Sequence, residues 1–177
     1  PLIIALFWNM KNEKIELNFL QVLERLQKSN SYSAYSALSN LLGSPGNNDL
    51  KPLRIAIVRN FTIEPLLPVL KGEASLSGFF PDLYVSDFDA IAADVFNAES
   101  PLYQHNPDFI IIAQWLDALS SALTASFLSC STKQIEDEIE RLAQMAIDFF
   151  NAIRKNTSAP ILINNFPLPD IPTLGIL

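Results

Sequence analysis

Two stretches decide the fold: Leu53-Arg54-Ile55-Ala56-Ile57-Val58 and Phe109-Ile110-Ile111-Ile112-Ala113. Both are short and rich in β-branched side chains, which crowd a helical turn and fit a pleated strand. A strand with one wet face alternates polar and apolar residues. A continuous apolar run instead marks a strand covered on both faces, as in parallel sheets. Phe109–Ala113 is the more uniformly apolar of the two and is placed centrally. Leu83-Tyr84-Val85 and Ala159-Pro160-Ile161-Leu162-Ile163 supply a second and a fourth strand.

Helical patterns fill the intervals. Ile63–Lys71 reads as a helix with Thr62 as N-cap; Pro65 fits its first turn, and Pro68 falls where it would kink it. Asp87–Asp94 reads as a short helix or turn. Ser131 and Gln134 have the spacing of a capping box. Beyond them Ile135, Ile139, Leu142, Ala146, Phe149, Phe150 and Ile153 recur at helical intervals. Glu136, Asp137, Glu138 and Glu140 load the early turns and Arg154 and Lys155 the last, as the helix dipole favours. That acidic run reads as a solvated face.

Strands alternating with helices define an α/β class with right-handed crossovers. The expected architecture is an open parallel sheet, flavodoxin-like, of order 2-1-3-4. Such sheets bind ligands beyond the carboxyl ends of their strands, near the point where strand order reverses. The candidate ligand rim is therefore Asn60 and Thr62 after the first strand, Asp87 after the second, Gln114 after the third, and Asn164 and Asn165 after the fourth. Arg59, Ser86 and Trp115 adjoin them. Amides and hydroxyls at such positions fit either a ligand contact or the capping of turn backbone groups.

Ahead of this body, Ile15–Leu26 carries a helical pattern with Phe19, Leu23 and Leu26 at i, i+4, i+7. Ser31–Gly43 reads as a second helix, capped by Ser31 and ended by Gly43. Ser44-Pro45-Gly46-Asn47-Asn48-Asp49 is turn-forming. Residues 1–50 are thus a helical lead-in and 51–177 the α/β domain.

Composition narrows the function. The 177 residues carry 12 Lys+Arg against 19 Asp+Glu, a net charge of −7, with no basic cluster. That argues against nucleic acid, whose phosphates require clustered cations. One cysteine and one histidine exclude a disulfide framework, a cysteine-based zinc site and a multi-histidine metal site. The longest apolar run, Pro1–Trp8, is far short of the roughly 20 residues of a membrane span. It lacks the basic flank and cleavage site of a signal peptide, so the chain is read as cytoplasmic, with no membrane partner.

The chemistry is sparse. The turn Arg59-Asn60-Phe61-Thr62 has no glycine, so neither a dinucleotide fingerprint nor a phosphate loop follows the first strand. No Gly-x-Ser-x-Gly elbow is present. His105 precedes the third strand, at the wrong end of the sheet for catalysis. Cys130 stands before the long helix with no base placed to activate it. No catalytic residue and no metal ligand is assigned.

The stretch Leu53–Leu66, with its Asn60-Phe61-Thr62-x-x-Pro65-Leu66 turn, resembles the opening of the SGNH-like domain that precedes the HAD-like domain in long FkbH-type proteins. Ser100-Pro101-Leu102-Tyr103, then Pro107-Asp108 before the central strand, is similar to that family's pattern. So are Asn165-Phe166-Pro167-Leu168-Pro169 and Leu174-Gly175-Ile176 at the close, and the Ser31-Tyr32-Ser33 helix of the lead-in. The resemblance covers roughly residues 15–177, judged by the expected alternation of strands and helices.

The resemblance implies a place in a protein that loads a glyceryl-type unit onto an acyl carrier protein in polyketide-like biosynthesis. The parent would be a HAD-like transferase or phosphatase, its chemistry and its Mg2+ residing in a covalently linked HAD-like domain. Asp87-Phe88-Asp89 has the letters of that domain's Asp-x-Asp loop without the preceding long apolar strand. SGNH hydrolases carry a Gly-Asp-Ser turn after the first strand and a late Asp-x-x-His; here Phe61 stands near the serine position and the late block is absent from the sequence. A triad needs nucleophile, base and orienter together.

The expected role is therefore a non-catalytic SGNH-like region that binds or positions a carrier protein or its linked domain, with no cofactor of its own. The alternatives are an SGNH-type hydrolase or acyltransferase completed by residues beyond Leu177, and a structural module without ligand. Pro1–Trp8 and the apolar Leu174, Ile176 and Leu177 form ends that call for cover, either by the rest of a longer protein or by a second copy in a homodimer.

Overall fold

The computed structural model describes residues 21–22, 24–26, 28, 31–42 and 50–166. The apolar ends therefore lie outside the described residues, as do Gly43 and Pro167–Pro172. The chain divides into two compact units, Pro1–Leu53 with Ile63–Asp82, and Arg54–Thr62 with Leu83–Leu177.

The strands are β1 (Lys51–Arg59), β2 (Phe79–Val85), β3 (Phe109–Ala113) and β4 (Ile161–Ile163). They form one sheet of order β2-β1-β3-β4, the expected open α/β arrangement. β1 pairs with β3 in parallel, from Ile55 opposite Phe109 to Arg59 opposite Ala113. β3 pairs with β4 in parallel, from Ile110 opposite Ile161 to Ile112 opposite Ile163. β3 thus lies between two neighbours in the sheet, with Ile110, Ile112 and Ala113 buried and Phe109 and Ile111 half-buried.

The helices are α1 (Tyr32–Leu41), α2 (Leu67–Leu76), α3 (Ile91–Phe96), α4 (Pro101–Gln104), α5 (Leu116–Leu119) and α6 (Thr132–Asn156). In the second unit Ala56 and Val58 of β1 and Ile110 and Ile112 of β3 bury one sheet face. They pack with Ile91 and Val95 of α3, Leu102 of α4, and Phe149 and Ile153 of α6. The capping box at Ser131 and Gln134 is formed, fixing where α6 begins. In the first unit Leu26, Ala34, Tyr35, Leu38 and Leu42 gather with Val69 and Leu76 of α2. The Tyr35 ring lies against the backbone at Gly72, where a Cβ would collide with it.

Three local expectations are corrected. Thr62 caps no helix: a 3-10 turn over Glu64–Leu66 follows it, with Ile63 at its N-cap and no side-chain cap bond. Ile63 is instead a buried anchor. Pro68 does not kink a helix, because α2 starts at Leu67 and the proline occupies its first turn, where no N–H is needed. Ser31 sits in the extended N-cap conformation of α1, but its hydroxyl makes no cap bond and pairs with the Ser33 hydroxyl at 3.3 Å.

Candidate functional site

At the carboxyl edge of the sheet, two asparagines hold two consecutive residues that leave β3. Asn60 continues the β1 ladder, its N–H donating to the Ala113 carbonyl at 3.1 Å. Its side chain then turns to Trp115: Oδ1 accepts from the Trp115 N–H at 2.7 Å, and Nδ2 donates to the Trp115 carbonyl at 3.3 Å. Asn164, just past β4, repeats the arrangement one residue back. Its Oδ1 accepts from the Gln114 N–H at 2.8 Å, and its Nδ2 donates to the Gln114 carbonyl at 2.9 Å. An amide side chain carries the donor and acceptor of a peptide group, so each asparagine extends the sheet by one pairing. Asn60 is 2% exposed and Gln114 3%. Phe61 seals the outer side of this joint, its ring 5.8 Å from that of Trp115.

Asn164 is exposed, as are Thr62, Asp87 and Asn165; Asn165 joins the set through its carbonyl, which accepts from Asn164 Nδ2 at 3.1 Å. At the end of β2 it is Ser86, 1% exposed, that ties the edge together. Its hydroxyl accepts from the Arg59 N–H at 3.2 Å and donates to the Asp87 carbonyl at 3.1 Å. Asn60, Gln114, Asn164 and Asn165 are thus brought together, and Thr62 and Asp87 stand outside that set.

Gln114, Asn164 and Asn165 also edge a pocket of about 450 Å3. Its wall is mainly apolar, with Leu123, Leu142, Met145, Ile163 and Phe166 among the lining residues. The spacing of Ile139, Leu142 and Ala146 along α6 was a legible helical face, but it carried no signal that part of that face borders open space. Leu116, which opens the four-residue α5, and Leu123, between α5 and α6, lie in segments too short to show a periodicity.

The remaining motif residues are scaffold. Ser100 Oγ donates to the Asp94 carbonyl at 2.7 Å and Tyr103 Oη to the Val95 carbonyl at 2.7 Å. Together they bind α4 to the end of α3 over the fully buried Leu102. Tyr84 Oη donates to Asp94 Oδ2 at 2.7 Å; burial and then the Asp94 carboxylate push its phenol well above the ordinary range. Asp108 accepts from the Arg54 N–H at 2.9 Å and from its guanidinium at 2.9 and 3.3 Å. Those bonds hold its carboxyl below the usual carboxylate range and tie the start of β3 to β1. His105 ends α4 at the opposite edge from the rim, and Cys130 is half-buried.

Among the described residues no three His, Cys, Asp or Glu side chains group as metal ligands, and no helix is long and apolar enough to cross a membrane.

Comparison with known proteins gives two matches. The family described as FkbH, N-terminal domain, matches residues 54–175. The crystal structure of the N-terminal part of a Bacteroides fragilis protein, containing a phosphatase domain and complexed with Mg, is similar at 18% identity with a TM-score of 0.55. The match covers 86% of this chain and 34% of that one, so the chain spans about a third of the neighbour's length. At that identity the likeness is one of fold. No curated protein matches the chain.

Proposed function

We propose that this chain, which belongs to the FkbH N-terminal domain family, is a non-catalytic region that binds or positions partners within a longer FkbH-type protein. The proposed parent is a HAD-like transferase or phosphatase that loads a glyceryl-type unit onto an acyl carrier protein in polyketide-like biosynthesis. The carrier protein and a covalently linked HAD-like domain are the proposed partners. Mg2+ is assigned to that linked domain by the family resemblance.

The observation that carries the reading is the double asparagine clamp. Where a hydrolase of this topology would present reactive groups, Asn60 and Asn164 are spent on the backbone of Trp115 and Gln114. A serine-type mechanism requires a nucleophile in hydrogen-bond reach of a base. The exposed rim hydroxyl is that of Thr62, the Ser86 hydroxyl being buried and bonded to the Arg59 N–H and the Asp87 carbonyl, and the sole histidine of the chain ends α4, away from the rim.

The test uses the full chain and its parent protein. Calorimetric titration with the carrier protein encoded beside the parent gene is expected to show saturable binding. p-Nitrophenyl ester hydrolysis by the chain is expected to stay at the buffer rate. Turnover lost in Thr62→Ala would establish the hydrolase alternative instead. Absence of carrier binding by both folded chain and parent would leave a structural module.

A further inference from the structure

One flank of α6 stays open among the described residues. Its core side carries the buried Leu142, Phe149 and Ile153. Beside them Ile139, Ala143, Ala146 and Phe150 recur at steps of four, three and four residues, the spacing of one continuous helix stripe. Ile139 is 54% exposed, Phe150 46%, and Ile147, which flanks the stripe, 51%. Ala143 is exposed and Ala146 half-buried. A contiguous exposed stripe of this kind, rimmed by polar residues, marks a surface that another protein covers.

The charges beside the stripe discriminate between occupants. Glu140 and Arg154 are exposed and stand seven residues to either side of Ile147, about two helical turns each way, so all three share one side of the helix. Among the described residues the ion pairs of α6 are Lys133–Asp137 and Arg141–Glu138, and Glu140 and Arg154 belong to neither. Arg154 is held in place by its own chain. Its guanidinium carbon lies 5.0 Å from the Phe150 ring centroid, and Nη1 donates to the Thr157 and Ala159 carbonyls at 3.3 and 2.6 Å. A guanidinium carries five donors, so these bonds leave capacity for a carboxylate.

We propose that this face is the interface of a homodimer, in which α6 packs antiparallel against α6 of a second copy about a two-fold axis near Ile147. That axis sets Glu140 of each copy opposite Arg154 of the other, and Phe150 opposite Ala143, large against small. A two-fold interface must be self-complementary. An acid and a base at equal distances from the axis meet that condition, whereas a parallel pairing would set Glu140 against Glu140. The small side chains of Ala143 and Ala146 let the helices approach closely. The chain's own end does not meet the same condition: residues 167–177 carry one ionisable side chain, Asp170, and so no cation for Glu140. The stripe spans about three turns, which places the complex at the weak end of specific interfaces, with a dissociation constant on the order of 10 μM. The assignment goes beyond the carrier-protein reading and does not rest on it.

The test is sedimentation equilibrium of the full chain over roughly 2 to 200 μM. A monomer–dimer equilibrium is expected, weakened by high salt because the charges across the axis are screened. Ala143 is exposed and glutamate is a good helix former, so Ala143→Glu is expected to fold and to weaken the dimer at least roughly tenfold by burying a charge on the stripe. Glu140→Arg and Arg154→Glu each set like charges across the axis, and each alone is expected to weaken it about tenfold. Mixed together they restore both opposite-charge pairs, so the equimolar mixture is expected to associate like the parent chain. A monomer across the whole range, a dimer undiminished in Ala143→Glu, or a mixture no stronger than the separate variants would each overturn the assignment. So would a dimer seen only after removal of residues 167–177, which would give the face to the chain's own end. A dimer of this chain that is lost in the longer parent would give the face to the linked domain and overturn it too. Should Arg154→Glu fail to fold, the salt dependence, Ala143→Glu and Glu140→Arg still decide.

Discussion

Replacing Asn60 by alanine is the sharpest probe of how the carboxyl edge is built. The side chain makes two bonds to Trp115, an accepting one at 2.7 Å and a donating one at 3.3 Å. The first is short for an N–H···O bond and the second long, so the acceptor oxygen contributes more. Each bond is worth about 1 kcal/mol net, and a shielded backbone group left without a partner costs about 1–3 kcal/mol. Because Asn60 is 2% exposed, water cannot readily replace it, and a loss of about 3 kcal/mol is expected. For a chain of this size that lowers Tm by about 9 °C, at roughly 3 °C per kcal/mol. Asn60→Asp separates the two bonds. It keeps the acceptor and loses the donor, and it faces a carboxylate toward the Trp115 carbonyl, so its folded pKa rises above its unfolded one. Stability of that variant is therefore fullest below the unfolded pKa and falls as pH rises through the folded value. The assay is urea unfolding in a Trp8→Phe background, with Trp115 fluorescence as reporter. A loss below about 0.5 kcal/mol in Asn60→Ala, within the range of ordinary surface substitutions, would refute the clamp. So would an Asn60→Asp variant whose stability relative to the parent does not change with pH.

Gly72→Ala removes a helix-weakening glycine from α2 and would gain about 1 kcal/mol on propensity alone. The new Cβ meets the Tyr35 ring, so a net loss of about 1–2 kcal/mol from overpacking is expected, and a raised Tm would contradict the packing. Asp108→Asn removes the Arg54 ion pair, whose partners are 36% and 40% exposed, so the loss is under about 1 kcal/mol. Its pH dependence has a definite sign: the Asp108 carboxyl is held below its ordinary value, so its contribution is full above that value and disappears as pH falls through the folded pKa. Parent and variant should converge in acid, as followed by circular dichroism. Ser131→Ala breaks the capping box of α6 and should cost about 1 kcal/mol in chemical unfolding.

The sheet was legible because its signal is local and strong. Phe109–Ala113 and Ile55–Val58 are apolar on consecutive positions, the pattern of strands covered on both faces. The strand order followed from the crossovers, and the Ser131–Gln134 spacing located the start of α6. Thr62 misled because the same residue types suit a cap, a turn and an exposed edge; the burial of Ile63 and the proline at position 65 settled the backbone into a 3-10 turn first. Asn60, Gln114 and Asn164 were placed at the right edge, but their pairing could not be read. It links residues 50 and 55 positions apart, and no periodicity records a contact at that separation. The pocket was invisible for a related reason: an apolar helix residue facing space and one facing a packed neighbour look the same in sequence.

The letters that carry the family resemblance now have a physical division of labour. The serine and tyrosine of Ser100-Pro101-Leu102-Tyr103 donate to carbonyls of α3. The aspartate of Pro107-Asp108 binds the head of β1. The asparagine of Asn60-Phe61-Thr62 fixes Trp115. Each satisfies backbone or ionic groups that the fold would otherwise leave unpaired, so a chain can hold all three patterns without possessing a reactive centre. The two residues that leave β3 are held by asparagines alone, Trp115 by Asn60 and Gln114 by Asn164. Trp115 packs against Phe61, while Gln114 Nε2 is, among the described residues, the one buried side-chain donor without a partner. The bonds that occupy the Asn60 and Asn164 amides are thus the same bonds that fix the backbone of Trp115 and Gln114.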